Sequence, residues 1–440
     1  MQQFQTIESL TSCMLRLGAS TIYCKTLAEN DNTKQQIYLG NSFDILKLLK
    51  FGSIRTEPGG KRPNFKASVP LFWIDGDGNT EAALGAQLIL YPDYPEVRLS
   101  GFLRNCTLAP SAHLQPIPKE HRKFNNGVDG RILFFGVSQD KVFVYLAPSG
   151  TALSNQTIQT LSQPIAGGSV LRIVVSSTVS SRDILLAKLR EIQSKNDEGW
   201  HTSMRLNKTG TPISYTASNG GGYTLEALFG IIPNGLSAPD FMGWELKAYS
   251  GSRITLMTPE PNSGFYGENG VGVFLRRYGR HLNGDIIYFT GSHKVNIIST
   301  TSGHTLVIHG FDPKTEKITD VCGGIRLTDE QGIISAEWTF GGLIEQWGRK
   351  HAAAAYIHYE KSSTTPPNYR YGHKKPIFLG EGTNFKLFLS ALASGNIIYD
   401  PASKMLNASE KKSTTKARNQ FRMNVKDLHR LYLKFEAIKL

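Results

Sequence analysis

Two carboxylates and a lysine lie close together in a mostly apolar stretch, NGLSAPDFMGWELKAY, at residues 234–249. Glu245 and Lys247 are two positions apart in a segment predicted to be a strand, and alternation along a strand places them on one face. A core strand would carry Val or Leu at these positions. The pair is therefore either an incidental ion pair on an exposed edge or part of a site for a charged partner.

These side chains suit the hydrolysis of a phosphodiester. Asp240 and Glu245 can hold Mg²⁺ beside the scissile phosphate, where the ion lowers the pKa of a bound water and balances developing charge. Lys247 can orient that water and help to deprotonate it. Asp240 is an odd number of residues from Glu245 and Lys247, so a continuous strand would place it on the opposite face. A turn or bulge near Gly243 must therefore bring Asp240 to the same face as the other two.

The Asp…Glu-x-Lys pattern is weak evidence by itself. It recurs in the polar run 400–412, which has no strand character, and with Arg in place of Lys at 93–98. Only 240–247 combines the pattern with apolar filler and with a predicted upstream helix that carries another acid, Glu226. An ordinary acid on the face of a helix is the alternative reading of Glu226.

The chain is basic along its whole length. Its net charge is +13, and residues 1–195 carry 21 Lys and Arg against 15 Asp and Glu, while the remainder carries 28 against 21. Positive charge in both halves favours an anionic partner, with nucleic acid first, over a basic protein without such a partner. A length of 440 residues predicts two or three compact units.

The cysteines and the N-terminal segment narrow the class of protein further. Four cysteines without CxxC spacing predict neither a zinc site nor a disulfide framework. The N-terminal MQQFQTIESL lacks the regions of a signal peptide, and no apolar run is long enough to span a bilayer. The expectation is a reduced, cytoplasmic protein without membrane contact.

Local patterns predict an α+β protein of two domains, 1–178 and 179–440. Residues 1–150 show short strands separated by Asn, Asp and Gly turns, which indicates an antiparallel sheet or barrel. The sequence pattern changes near residue 180, where apolar residues at helical spacing predict a helix. Another helix is predicted over 343–358.

Several segments beyond residue 180 resemble the MvaI/BcnI family of restriction endonucleases, relatives of the repair nickase MutH in the PD-(D/E)XK nuclease class. The matching segments are GWH at 199–201, TLEAL at 224–228, APDF at 238–241, WELK at 244–247, ITLMT at 254–258 and LRRYG at 275–279. The resemblance extends over roughly residues 180–440 and implies a MutH-like α/β nuclease fold with Mg²⁺ as cofactor. It makes Asp240 and Glu245 metal ligands, Lys247 the water-activating residue and Glu226 an auxiliary acid.

In this family the C-terminal part makes most of the contacts with bases. Arg422 in QFRM matches a position that would donate a bidentate pair to guanine, and Asp400 in IIYD matches an acid that accepts from a cytosine amino group. The family often has histidines shortly before that arginine, where this chain has TKAR at 415–418, so the bases read here stay open. Further basic candidates for DNA contacts are Lys404, Lys416 and Arg418. Lys411, Lys412 and Lys416 suit phosphate contacts better than base contacts, with a solvated basic loop as the alternative.

The N-terminal half resembles the effector-binding domain of the EcoRII restriction enzyme, a β pseudobarrel related to the plant B-three domains. The likeness rests on IYCKTLAENDN…QQIYLG and on the hairpin RILFFGV…KVFVYLA. In that domain two arms grip one DNA duplex. The first arm would here include Lys25, Lys34, Gln35 and Gln36, and the second Glu96, Arg98 and Arg104. A sheet domain used only as a scaffold is the alternative.

Together, the two resemblances imply a monomeric type II restriction endonuclease of the IIE kind. Such an enzyme binds two copies of its double-stranded site, here expected to be CCNGG-type and in particular CCWGG, one copy per domain. A cognate DNA methyltransferase is the expected genetic partner. The alternatives are a MutH-like repair nickase and an inactive DNA-binding regulator, against which the intact Asp240, Glu245 and Lys247 set argues.

Overall fold

The computed structural model describes residues 3–29, 35–94, 96–116, 118, 120, 128–161, 170–175, 181–194, 199–233, 240–282, 284–350 and 353–440. The chain divides into two compact units, residues 1–180 (unit 1) and 181–440 (unit 2). Both units combine helices with sheets, so the α+β class predicted from the sequence is confirmed. Within the described residues, no helix is both long enough and apolar enough to cross a membrane.

Unit 1 consists mainly of two sheets. Its helices are α1 (Ile7–Arg16) and α2 (Ala152–Thr160), with 3₁₀ turns at Phe43–Lys47 and Ser111–Leu114. Its strands are β1 (Thr21–Ala28), β2 (Gln36–Gly40), β3 (Ile54–Glu57), β4 (Asn64–Ser68), β5 (Leu71–Ile74), β6 (Thr80–Ala82), β7 (Gln87–Tyr91), β8 (Glu96–Ser100), β9 (Val128–Val137), β10 (Val142–Ala147) and β11 (Arg172–Val175). They form a six-stranded sheet, β11-β1-β9-β10-β5-β6, and a five-stranded sheet, β2-β8-β7-β4-β3.

The hairpin of β9 and β10 supports the core of unit 1. Every residue of β10 is buried, and α1 covers the sheet with Leu10 and Met14, which are fully buried. The hairpin was predicted from the sequence and is confirmed. Both sheets are open at their edges among the described strands, and no closed barrel forms. The pseudobarrel therefore stays a prediction.

Unit 2 contains more helices and several smaller sheets. Its helices are α3 (Ser181–Ser194), α4 (Gly220–Leu228), α5 (Gly264–Tyr278), α6 (Phe340–Lys350) and α7 (Phe385–Ala393), with a 3₁₀ segment at Val425–Leu431. Its first strands are β12 (His201–Thr202), β13 (Met204–Leu206), β14 (Pro212–Ser214), β15 (Trp244–Tyr249), β16 (Arg253–Met257), β17 (Arg280–Leu282), β18 (Ile286–Thr290), β19 (Thr305–His309), β20 (Phe311–Asp312) and β21 (Lys317–Ile318). The later strands are β22 (Gly324–Thr328), β23 (Ile334–Thr339), β24 (Ala353–Lys361), β25 (Asn368–Tyr371), β26 (Ile377–Glu381), β27 (Ile397–Tyr399), β28 (Ala402–Leu406), β29 (Thr414–Lys416), β30 (Phe421–Asn424) and β31 (Lys434–Ile438).

Strand β24 is the centre of the main sheet of unit 2. It pairs in parallel with β15 and antiparallel with β25 and β26. The helix predicted over 343–358 is correct only as far as residue 350, because AAAYIH belongs to β24. Alanine is the best helix former, but residues 354–357 are fully buried between neighbouring strands, and strands buried on both faces need no polar alternation. Burial therefore overrides the local preference.

A three-stranded sheet, β16-β30-β27, adjoins the main sheet. Strand β16 follows β15 after a turn of only three residues, 250–252. On one face of this sheet Ile254, Phe421 and Met423 are buried, whereas Thr255 and Arg422 on the other face are partly exposed and lie opposite each other. The chain thus passes directly from one sheet to the polar face of the next.

A tight hairpin precedes β15. Phe241 and Trp244 exchange both backbone hydrogen bonds, at 2.9 and 2.8 Å. Between them, Met242 has φ 46° and Gly243 has φ 89°, and two positive values are what a two-residue type I′ turn requires. The turn predicted near Gly243 is confirmed, and its register sets Asp240 opposite Glu245.

Gly243→Ala is expected to destabilise unit 2 by about 1–2 kcal/mol, since a Cβ is disfavoured at positive φ. Gly251→Ala is the matched control, because Gly251 has no positive φ and no atom within 4 Å of an added Cβ. Urea unfolding followed by tryptophan fluorescence measures both, as four of the five tryptophans lie in residues 181–440. Equal stability of the two variants would contradict the turn assignment.

Candidate active site

The candidate catalytic residues line one open cleft of about 1050 Å³ in unit 2. Helix α4, the hairpin before β15, and strands β15 and β16 form its walls. The residues named from the sequence that face it are Glu226, Asp240, Glu245, Lys247 and Arg422. The fold therefore brings the proposed chemical residues and the proposed base-reading arginine to the same cavity.

Asp240 is positioned by a hydrogen bond from β15, the strand that carries Glu245 and Lys247. Its Oδ2 accepts a hydrogen bond of 2.9 Å from the backbone N–H of Leu246. Because Asp240 lies opposite Glu245 across the hairpin, the Cβ atoms of the two residues are expected to be roughly 4.5–5.5 Å apart. Two like charges at this spacing repel each other unless a cation lies between or beside them.

Glu245 is almost completely buried, with 3% of its surface exposed. Its Oε1 is 2.7 Å from Nζ of Lys247, and its Oε2 is buried without a hydrogen-bond partner among the described residues. An unsatisfied buried carboxylate oxygen is costly. The arrangement therefore favours a second positive group next to Glu245.

The carboxylate pair fits Mg²⁺. This ion is usually held by one or two protein carboxylates, with waters and phosphate oxygens completing its octahedron. Among the described residues no three His, Cys, Asp or Glu side chains are grouped to enclose a metal, so a closed structural site is not formed there. Asp240 and the unpaired oxygen of Glu245 would supply the two protein ligands.

Lys247 is the basic group next to the carboxylates. Its neighbour in register on β24 is Tyr356, whose hydroxyl lies 2.6 Å from that of Tyr432. Burial raises the pKa of both phenols, so neither ionises near neutral pH and neither can act as a base. Lys247 is thus the side chain at this position that can act on a water molecule.

Glu226 reaches the cleft because α4 packs closely on the main sheet. A Cβ on Gly221 would come within 2.6 Å of the Tyr359 ring, and Tyr371 donates a 2.7 Å hydrogen bond to the carbonyl of Gly221. Only a residue without a side chain allows this approach. The glycine-rich start of the helix therefore positions the half-buried Glu226, four residues after Gly222, at the cleft wall.

Arg422 and Asp400 lie side by side on the polar face of the three-stranded sheet. Nη1 of Arg422 donates to Oδ2 of Asp400 at 2.7 Å, while its Nε is buried without a partner among the described atoms. The other basic candidates are elsewhere: Lys404 and Lys416 face each other on β28 and β29, and neither they nor Arg418 line the cleft.

The sequence analysis missed Arg253, which lines the same cleft as the catalytic candidates. No motif marks it, since it simply begins the strand after the 250–252 turn. The available signal was alternation: Arg253 shares a face with Thr255, which pairs with Arg422.

Unit 1 gathers most of the residues predicted for its two arms. Arg98 binds Gln36 at 3.2 Å and Glu96 at 2.9 Å, and Gln35, Gln36 and Arg104 line a cavity of about 370 Å³. Lys34 lies outside the described residues.

Lys25 departs from the expectation for an exposed DNA contact. It is buried at 8% exposure and donates to the Thr26 carbonyl. Burial, with a contribution from Arg172, lowers the pKa of Lys25 to about 8.

Comparisons with known proteins place unit 2 in a family. The solved structure of the restriction endonuclease MvaI with a cognate DNA substrate is 20% identical to this chain, covers 59% of it and 99% of its own length, and has a TM-score of 0.46. MvaI without DNA is also 20% identical, covers 60% and 100%, and has a TM-score of 0.34. A search among curated proteins gives no match.

The family model that matches is that of the MvaI/BcnI restriction endonuclease family, over residues 186–432. This range is more than half of the chain and contains every catalytic candidate described above. The chain therefore belongs to the MvaI/BcnI restriction endonuclease family and is a site-specific restriction endonuclease.

Proposed function

We propose that unit 2 hydrolyses double-stranded DNA with Mg²⁺ at a short CCNGG-type site, CCWGG being the expected form, and that unit 1 binds a second copy of that site. The proposal that unit 2 hydrolyses DNA rests on one observation: Asp240, Glu245, Lys247 and Arg422 line the same cleft. A family member needs both functions, chemistry and base recognition, at neighbouring positions on one duplex.

The proposed chemistry assigns each cleft residue one role. Bound Mg²⁺ would lower the pKa of water and offset charge on the phosphate. Asp240 and Glu245 would hold the ion, and the hydrogen bond from the backbone N–H of Leu246 fixes the orientation of the Asp240 carboxylate. Lys247, kept in place by Glu245 at 2.7 Å, orients the attacking water and takes part in its deprotonation. Glu226 adds a further acid from the helix side of the cleft.

The proposed base recognition uses the Arg422–Asp400 pair. In the protein alone the two residues form an ion pair, with Nη1 of Arg422 2.7 Å from Oδ2 of Asp400. A G·C pair offers guanine acceptors to the arginine and a cytosine amino group to the aspartate. Recognition would thus exchange one internal ion pair for two base contacts, while Lys404, Lys416 and Arg418 contact phosphates outside the cleft.

A second candidate function is a MutH-like nickase. It is favoured by one observation: the described part of unit 2 holds a single Asp240–Glu245–Lys247 set, which can cut one strand in each encounter. A monomeric restriction enzyme must then bind twice to break the duplex. Persistent nicked plasmid without linear product would favour the nickase, whereas conversion of nicked into linear DNA favours the restriction enzyme.

Lys247→Ala is expected to lower single-turnover cleavage by about 10²- to 10⁴-fold, the range for loss of a proton-transfer group. Asp240→Ala should lower it severely as well, because it removes one of the two proposed metal ligands. Specific DNA binding should be largely retained, because both groups face the reacting phosphate rather than base edges. Lys314→Ala, at an exposed position that does not line the cleft, is the matched control. Near-normal cleavage by either active-site variant would refute the assignment.

Arg422→Ala is expected to weaken binding to the specific duplex by about 1–3 kcal/mol, the value of one bidentate guanine contact, and to leave unrelated DNA nearly unaffected. Because the substitution also leaves Asp400 unpaired, Arg422→Ala/Asp400→Ala should be measured beside it. Gel-shift titration with both duplexes gives the affinities. An equal loss on unrelated DNA would make Arg422 a phosphate contact.

The second-site proposal predicts faster cutting of a two-site plasmid than of a one-site plasmid. A short duplex bearing the site should rescue the one-site substrate by filling unit 1, and typical coupling of about 1–3 kcal/mol corresponds to roughly 5- to 150-fold in rate. Arg98→Ala/Arg104→Ala should remove the stimulation and spare basal cleavage. Arg55→Ala, at an exposed position on β3, is the control. Equal rates on both plasmids for the intact protein would reduce unit 1 to an anchor or scaffold.

A further inference from the structure

A small polar pocket of about 100 Å³ opens beside the catalytic cleft. The side chains that give it its character are Arg253, Ser292, Lys294, Asn396, Arg422 and Asn424. Arg253 and Arg422 line both this pocket and the cleft. The side chains of these two arginines therefore form a wall that the pocket and the cleft share.

Strand pairing fixes one side of the pocket. Arg253 lies directly opposite Asn424 in the β16–β30 pair, and Arg422 occupies the same face two residues earlier. The intervening Ile254 and Met423 are buried on the opposite face. A slip of one residue would turn all the polar groups into the core, so this side of the pocket is strongly specified.

The other side is a loop that is tied to the sheet. His293, just before Lys294, exchanges backbone hydrogen bonds of 2.8 and 3.0 Å with Tyr399, and its Nε2 contacts Oγ of Ser302 at 2.7 Å. His293 is fully buried. Lys294 is thus held through the backbone of its neighbour, and its Cδ lies 3.9 Å from the position that a Cβ on Gly395 would take, another residue that lines the pocket.

Positive charge in the pocket is only partly compensated. Arg422 is paired with Asp400, but Arg253 and Lys294 have no ion-pair partner among the described residues, and both are exposed. Confined cations of one sign raise the local concentration of anions. The amide and hydroxyl groups of Asn424, Asn396 and Ser292 add hydrogen-bond donors around the same space.

The pocket is large enough for a phosphate group. A volume of about 100 Å³ accommodates several water molecules, and a phosphate can take their place. We propose that Arg253 and Lys294 bind one backbone phosphate of the DNA, next to the base pair contacted by Arg422; this inference rests on the DNA binding that the proposed function assigns to unit 2.

The test compares Arg253→Ala/Lys294→Ala with the intact protein in equilibrium binding without Mg²⁺, on a specific and an unrelated duplex over a range of salt. Affinity should fall by a similar factor on both duplexes, because phosphates carry no sequence information. The slope of log K against log salt should decrease by about one, the value for one lost phosphate contact. Lys314→Ala, exposed and outside both cavities, should leave slope and affinity unchanged.

Neutral methylphosphonate links, introduced one at a time, identify the phosphate itself. One position should weaken binding by the intact protein but not by the double variant. Unchanged affinity of the double variant, a loss confined to the specific duplex, or the absence of such a position would overturn the proposal. Tight binding of inorganic phosphate that disappears in the double variant would point to a free anion instead. An intact protein that binds DNA without cutting it would refute the proposed nuclease function and leave this inference standing.

Discussion

The parallel pairing of β15 with β24 is the interaction on which the catalytic unit depends. It joins six consecutive positions, from Trp244 with Ala353 to Tyr249 with His358. Since alternate residues of a strand face opposite sides, a shift by one position would exchange Glu245 and Lys247 for Leu246. The buried alanines of β24 resist that shift, because the apolar residues of both strands would lose their places in the core.

The grouping of the candidate catalytic residues in one cleft could be predicted from the sequence, whereas much of what surrounds them could not. Asp240, Glu245 and Gly243 lie within six residues, so turn chemistry and strand parity were enough to suggest how they meet. Strand β24, which pairs with the strand that carries Glu245, was wrongly predicted to be helix, because a run of alanines has a strong local preference for helix. Burial of these alanines between strands that are distant in the sequence overrides that preference.

Arg253 is a cleft residue that could not be identified from short stretches of the sequence. Its importance comes from its partner strand, β30, which lies about 170 positions later in the chain, and such register cannot be seen in a short window. In unit 1, likewise, Lys25 was predicted to belong to a DNA-contacting arm from a resemblance in sequence, but its strand buries it. The partners of Arg98, by contrast, could be proposed because Glu96 is on the same face of the same strand.

The three-residue turn between β15 and β16 has a geometric consequence. Lys247 and Thr255, the neighbour of Arg422, are joined by a short, regular piece of chain. On the roles proposed for Lys247 and Arg422, this piece of backbone sets the distance between the phosphodiester bond that is cut and the base pair that is recognised. A longer or shorter turn at 250–252 would then move the position of the cut within the same recognised sequence.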